Sequence, residues 1–303
     1  MRYGPWVERL EAIAAGREIV AVAGRRDAAG VTGSQIHIVP VSILDGKGAG
    51  WSLDAGAAVY ALGFAGDDLL ISGGDDGRIV AWDVTGKDRV AEVSVGAGVR
   101  SLALDTTASR GQAGALIAGC ADGSLHIIGF SVVGGTPRFE LLSRTALSDG
   151  AIGAAAFDPA GFAVAGGADG QLWVVSGNAS PRAISPGGDG GVRAIACLGD
   201  GRAAVGCGDG SIRTCFLVGD VEAHDRSGDH GHQAAVRAFA LGPVSVDDAG
   251  REQPRRLFSV GDDGALKSWL VDGSRRPRTI ELGIGAATAV AFAPGPVATV
   301  DKA

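Results

Sequence analysis

Residues Ile71 to Val84 read ISGGDDGRIVAWDV, and this stretch decides the fold because variants of it recur along the chain. Four further copies begin at Ile117, Val164, Ala204 and Phe258. Each copy contains an Asp-Gly pair, and these pairs begin at Asp76, Asp122, Asp169, Asp209 and Asp263. Asp-Gly tolerates the positive φ that a tight hairpin turn requires, so each copy is predicted to fold two strands back on each other.

The spacing of the copies indicates the architecture. Successive Asp-Gly pairs are 40 to 54 residues apart, which is the period of a four-stranded propeller blade. One hairpin cannot bury both of its faces, whereas sheets repeated around a ring pack on their neighbours and leave only short edges. We therefore expect an all-β protein in which residues 1–303 form one β-propeller domain of four-stranded antiparallel blades.

The number of blades has two solutions in the sequence. Six nearly complete repeats are followed by one more predicted first strand, Ala286 to Phe292, and part of a second. Either the ring has seven blades with the last incomplete, or this strand joins blade one and closes six blades by a strand swap between the termini. Seven blades are the preferred reading, because Trp6 to Ile13 already matches the first strand of blade one.

Composition and charge exclude several classes of protein. The 51 glycines and the hydrophobic fraction of 46% suit many short strands and turns and do not suit disorder. A net charge of −7 gives no general attraction for phosphate backbones, so nucleic acid is not expected as a partner. The sequence has no run of eighteen apolar residues, so no membrane helix is predicted. Charged residues interrupt the start of the chain, so we expect no export and a cytoplasmic location.

The four cysteines, Cys120, Cys197, Cys207 and Cys215, form no C-x-x-C pair and fall in predicted strands. Buried free thiols are therefore expected, as in a reducing cytoplasm, with a zinc or disulfide framework as the alternative. The frequent use of Ala, Gly and Arg suggests a bacterial source with a GC-rich genome.

The repeat resembles that of the WD-repeat proteins. The second blade ends its motif in Trp82-Asp83, and the sixth blade is preceded by Gly231-His232. In that family a His, a Ser or Thr, the turn Asp and a Trp form a hydrogen-bonded network within a blade. The resemblance implies this network, complete in blade six and without the His in blade two, at His232, Ser259, Asp263, Trp269, Ser72, Asp76 and Trp82. The other repeats keep the turn Asp but lack the Trp.

A second propeller family, the quinone-cofactor dehydrogenases, is similar only over AWDVTGKDRV from Ala81. This match is one residue short, lacks the final Trp of that family's repeat and occurs once. No nucleophile elbow, zinc-protease helix motif or phosphate-binding glycine loop is present in the sequence. We therefore expect no enzymatic activity and no cofactor.

The segment HDRSGDHGH, from His224 to His232, is the richest polar cluster. His224 and His230, with Asp225 and Asp229 nearby, are weak candidates for a metal site, because imidazole and carboxylate bind zinc and similar ions. The spacing is not specific, and a solvated loop is the preferred reading.

In WD-repeat proteins the rim around the channel often binds peptides, through residues at the start of the first strand and before the turn Asp. Carried to this chain, the resemblance implies partner-binding residues at Tyr60, Arg100, Arg193, Arg237, Asp75, Asp262, Arg25 and Arg26, with Glu8 as the blade-one equivalent. The arginines predict a basic patch that binds an acidic or phosphorylated protein segment. The sequence thus predicts a scaffold for protein partners, within a larger assembly or multidomain protein. The alternative is an enzyme, or a small-molecule or metal sensor, that uses the central channel.

Overall fold

The computed structural model describes residues 9–15, 19–25, 35–40, 42, 49–105, 114–133, 135–177, 179–186, 188–219, 223–225, 230–243, 245–246, 252–253, 255–272, 276–283, 286–287 and 289–290. These residues form six four-stranded antiparallel sheets and one two-stranded hairpin. In blades one to five, the four strands of a blade follow one another in the chain and pair in that order. The all-β propeller of four-stranded blades is thereby confirmed.

The strands of the first three blades are β1 Arg9–Ala15, β2 Ile19–Arg25, β3 Gln35–Pro40 and β4 Trp51–Asp54; β5 Val59–Phe64, β6 Leu69–Gly74, β7 Arg78–Asp83 and β8 Asp88–Ser94; β9 Val99–Leu104, β10 Gly114–Cys120, β11 Ser124–Val133 and β12 Thr136–Ala146. Those of blades four and five are β13 Ile152–Phe157, β14 Ala163–Gly167, β15 Leu172–Val175 and β16 Arg182–Ile184; β17 Val192–Cys197, β18 Arg202–Cys207, β19 Ile212–Phe216 and β20 Ala223–Asp225.

Blade six consists of β21 Val236–Leu241, β24 Arg256–Gly261, β25 Ala265–Leu270 and β26 Arg278–Glu281. A small hairpin, β22 Ser245–Val246 with β23 Glu252–Gln253, lies in the chain between its first and second strands. The sequence gives no signal for this hairpin, because two-residue strands leave no recognisable periodicity.

The Asp-Gly turns explain why the middle strands pair. In all five turns the Gly has a φ between +71° and +86°. Residues that carry a Cβ rarely adopt this backbone conformation. In each turn the Asp carboxylate also accepts the backbone N–H two residues later, as Asp76 does from Arg78 at 3.1 Å. Each hairpin is therefore favoured by its own turn residues and does not depend on packing between blades for its turn geometry.

The blade count corrects the preferred expectation. The described residues form six blades, as in the alternative, and not seven. The strand swap of that alternative is not seen among them, since β1 itself is the first strand of blade one and pairs with β2. After β26, the described residues 286–287 and 289–290 form no strand. Counting repeats could not distinguish six blades from seven. The predicted strand from Ala286 to Phe292 could begin a seventh blade or supply the first strand of blade one.

The hydrophobic core is divided into layers between consecutive blades. Five clusters of buried residues join blade one to two, two to three, three to four, four to five and five to six. Close packing is possible because the second strand of each blade from two to five has a Gly where the next blade's first strand approaches. At Gly166, an added Cβ would lie 2.2 Å from Cγ1 of Val192, a distance that no packed core tolerates.

The cysteines are free, as expected. Cys120, Cys207 and Cys215 are buried, and Cys197 is partly buried. Burial raises the pKa of Cys197 to about 12, and it raises those of Cys120 and Cys215 to about 11. These thiols are therefore protonated at neutral pH. Among the described residues, no helix is long and apolar enough to cross a membrane.

Candidate functional site

A β-bulge places one residue of each blade on the channel-face rim. We define this rim as the starts of the first strands and the turns between second and third strands. In blades two to six the ladder between these strands skips one residue: Tyr60, Arg100, Gly153, Arg193 or Arg237. A bulge bends the strand and re-aims the extra side chain. The innermost strands contact one another in succession from β1 to β21, so the bulged residues follow one another around the centre.

Blade one differs from the prediction. Its ladder skips Glu11, between Leu10 and Ala12, so Glu11 and not Glu8 has the bulged position. Glu8 and Arg26 lie outside the described residues, and Arg25 ends β2. The sequence alignment of this strand with the other first strands was wrong by three residues. The buried residues of β1 are Ala12 and Ala14, and alanines give a weak signal of which face points inward.

Arg100 connects blade three to blade two. Its guanidinium lies 4.4 Å from the centre of the Tyr60 ring and its Nη2 lies 2.8 Å from a carboxylate oxygen of Asp75. The turn residue of its own blade is Ala121, which offers no carboxylate. Arg100 therefore reaches the preceding blade, and the ring and the acid fix its orientation on the rim.

Arg237 is paired within its own blade. Its Nε donates to one oxygen of Asp262 at 2.8 Å, and its Nη2 donates to the other. The pair is a two-point guanidinium–carboxylate contact, the geometry that arginine also uses to bind partner carboxylates and phosphates. Both side chains are about one-third exposed, so a ligand can reach them.

Arg193 is surrounded by small residues. Its Nε donates to the carbonyl of Gly190 at 3.0 Å, and no carboxylate partner is described for it. The corresponding rim residues of blades four and five are Gly153, Ala168 and Gly208. Arg193 is therefore the one charged residue among these four predicted rim positions, although the turns of the two blades also contain the exposed acids Asp169 and Asp209.

Two of the three rim arginines are thus neutralised by Asp75 and Asp262, which the sequence had also predicted as partner-binding residues. The sequence predicted a net basic patch, whereas the structure brings Arg100 to Asp75 and Arg237 to Asp262. Exposed ion pairs of this kind are weak in water. A ligand carboxylate or phosphate can therefore exchange with Asp75 or Asp262, while at Arg193 it displaces no acid that is ion-paired with the guanidinium in the described structure.

Hydrogen bonds link the four residues that the resemblance implied in blade six. His232 Nδ1 lies 2.9 Å from Asp263, its Nε2 lies 2.8 Å from the Ser259 hydroxyl, and Trp269 Nε1 donates to the same hydroxyl at 2.8 Å. Burial lowers the pKa of His232, and the bond to Asp263 only partly opposes it. The imidazole is therefore neutral, which assigns the proton to Nδ1 and lets Nε2 accept from Ser259.

The shorter network in blade two is present in part. Trp82 Nε1 donates to the Ser72 hydroxyl at 2.8 Å. Asp76 does not join this bond; it accepts from the backbone and the side chain of Arg78. Without a His to connect them, the turn acid and the buried Ser–Trp pair stay separate.

The weak metal candidates are not brought into a recognisable site. His224 lies in β20 opposite Thr214, while the carbonyls of His230 and Gly231 accept hydrogen bonds from the Lys267 ammonium. Asp229 lies outside the described residues. In the part of the chain that the structure describes, no three His, Cys, Asp or Glu side chains are grouped to hold a metal ion.

Comparison with known proteins supports the architecture. A scan against protein-family models and a search of the curated proteins find no match. The fold is similar to a chain in the crystal structure of the mitotic checkpoint complex, with a TM-score of 0.70, 16% identity and coverage of 95% of this chain and 84% of that one. It is also similar to Chaetomium thermophilum Sqt1 bound to the N-terminus of ribosomal protein L10, with a TM-score of 0.65, 18% identity and coverage of 93% and 77%. Both neighbours are WD-repeat propellers, and at these identities they show a shared fold.

Proposed function

We propose that this chain is a non-enzymatic scaffold of the WD-repeat type that recruits a protein partner through its channel-face rim. The observation that carries the proposal is the repeated bulge, which aims Tyr60, Arg100, Arg193 and Arg237 from different blades at one rim. Aromatic and arginine side chains held in fixed orientations are the types that dominate protein interfaces.

The neighbours support a protein as the ligand. One is part of a checkpoint complex, and the other is bound to the N-terminus of a ribosomal protein. Rigid strands with short turns lose little conformational entropy on binding, which suits a platform within a larger assembly.

The chemistry of the rim favours an acidic or phosphorylated segment. Arg193 is exposed and donates to the Gly190 carbonyl, and no described ion pair competes with a ligand carboxylate or phosphate for its guanidinium. Arg100 and Arg237 each hold an acid that a stronger or multivalent anion can displace. Tyr60 adds an apolar surface beside Arg100.

The test is affinity capture from the cells in which the chain occurs. Replacing Arg100, Arg193 and Arg237 together with Ala should abolish capture of the partner. The matched control replaces Arg89 and Arg138, two exposed arginines of the outer strands β8 and β12, and should leave capture intact. Unchanged capture by the triple variant, with a normal unfolding transition, would refute the rim as the recruiting site.

A further inference from the structure

Blade six has an apolar row that is more exposed than the equivalent row of blade four. Val260, Leu266 and Ile280 stand directly opposite one another on three adjacent strands, so their side chains share one face of the sheet. This is the face that receives the following blade elsewhere. In blade two, for example, the equivalent of Val260 is Gly73, and its Cβ position lies 2.5 Å from Cγ1 of Val99 in blade three.

Burial along this row is lower in blade six than in blade four. Ile184 on the outer strand of blade four is 2% exposed, whereas Ile280 at the same place in blade six is 54% exposed. On the third strand, Leu172 of blade four is fully buried, and Leu266 of blade six is only partly buried. The residue after the outer strand follows the same trend, since Val95 is 8% exposed and Leu282 is 39% exposed.

Blade one does not cover this face in the described structure. In blades one to five, the second strand contacts the first strand of the following blade. No contact of similar extent joins β24 or β21 to β1 among the described residues, and no buried cluster there combines blades six and one. The face is therefore a blade-packing surface without a described follower.

The inner end of the row is already occupied by this chain. Ala287 is buried, and its N–H donates to the carbonyl of Gly261 at 3.0 Å. The size relation is reversed from the other blades: the second strand has Val260 in place of a Gly, and the residue that follows the blade is an Ala in place of Val or Ile. Ala287 thus covers the inner end of the row, near the centre of the propeller. The middle and outer parts of the row, at Leu266 and Ile280, are not covered by described residues.

We infer that this face of blade six, at Leu266, Ile280 and Leu282, docks a β-sheet segment of a partner polypeptide, which occupies the next blade position beside Ala287. The occupant is a hairpin or longer antiparallel sheet with apolar residues on alternate positions, because only such a surface reproduces the packing that buries Leu172 and Ile184. This surface lies on the flank of blade six and is independent of the rim.

The first experiment places a photoreactive benzoylphenylalanine at position 280 in the chain's own cells. A matched control carries the same group at Val133, which is 58% exposed. The expected result is an adduct with another polypeptide at position 280 and none at 133, and sequencing of the adduct should show a segment with alternating apolar residues. A product cross-linked only within the same chain would overturn the inference, as would equal adducts at both positions.

The second experiment measures binding of the identified segment, made as a synthetic peptide, to the purified full chain. Ile280→Lys adds a charge on an exposed strand and leaves the core intact, so it should weaken binding at least tenfold. The triple rim variant should bind within about twofold of the parent. An unaffected Ile280→Lys would overturn the inference and leave the rim proposal standing, whereas loss only in the rim variant would assign this segment to the rim.

Discussion

Arg100 of blade three forms an ion pair with Asp75 of blade two, with 2.8 Å between Nη2 and Oδ1, and stacks on Tyr60 of the same neighbouring blade. Arg237 makes the comparable contact with Asp262 inside blade six. Each rim acid therefore restrains an arginine that a ligand would otherwise engage directly.

Removing the rim acids should strengthen recruitment of an acidic partner. In Asp75→Asn/Asp262→Asn, Arg100 and Arg237 lose their competing carboxylates and the rim becomes more positive. We expect partner affinity to rise several-fold, and the gain to shrink with salt because the contribution is electrostatic. Titration of the captured partner at two salt concentrations measures this effect. Weaker binding by the double variant would indicate that the partner presents cations.

Ser259→Ala should destabilise the protein more than Ser72→Ala. Loss of the Ser259 hydroxyl leaves two buried groups without their partner, Trp269 Nε1 and His232 Nε2, whereas loss of Ser72 leaves only Trp82 Nε1. At about 1–2 kcal/mol for each stranded group, the expected losses are roughly 3 and 1.5 kcal/mol. Urea unfolding of the two variants gives the comparison. Equal losses would show that the His does not contribute to the buried network.

Stability should fall as the pH drops below about 6.5, the ordinary pKa of histidine. The folded-state pKa of His232 is lowered by burial, so below that pH the unfolded chain binds a proton that the folded chain resists. The stabilising contribution is complete above the unfolded pKa and is lost as the pH falls through the folded one. Burial also lowers the pKa values of His37 and His126.

The unfolding free energy, measured between pH 8 and 5.5, tests this assignment. Each such histidine contributes up to about 1.4 kcal/mol per pH unit over its own window. In His232→Asn the unfolding free energy should change less steeply with pH than in the parent protein, because one of the three buried histidines with a lowered pKa is gone. A variant with the parental slope would show that His232 is not the neutral group.

Gly166→Ala should cost about 1–3 kcal/mol of stability, because the new methyl group collides with Val192 of the next blade. Adding Val192→Ala should recover part of the loss, as the reversed pair Val260 and Ala287 suggests. Gly129→Ala is the matched control, since the nearest atom to its added Cβ is 3.5 Å away on the Leu142 side chain. Thermal unfolding of the single and double variants gives the coupling; a Gly166→Ala protein as stable as the parent would argue against this packing.

The sequence by itself determined the repeating unit, the Asp-Gly hairpins, the four-stranded blades and the residues of the blade-six network. These features depend on turn chemistry and on the order of apolar and polar residues within some 40 positions. Both signals are local, so they can be recognised in the sequence of a single repeat. The strand-start positions taken from the repeat in blades two to six coincide with the bulged residues, whereas their part in partner binding stays a prediction.

Tertiary structure alone decided which groups meet between blades. The pairing of Arg100 with Asp75, the shift of the blade-one position to Glu11, the six described blades and the exposed row at Ile280 all depend on contacts between separate sheets. Ile184 and Ile280 occupy the same place in their repeats, yet one is buried and the other exposed. A repeat specifies the faces of its own sheet, whereas burial of a face requires a neighbour that the repeat does not encode.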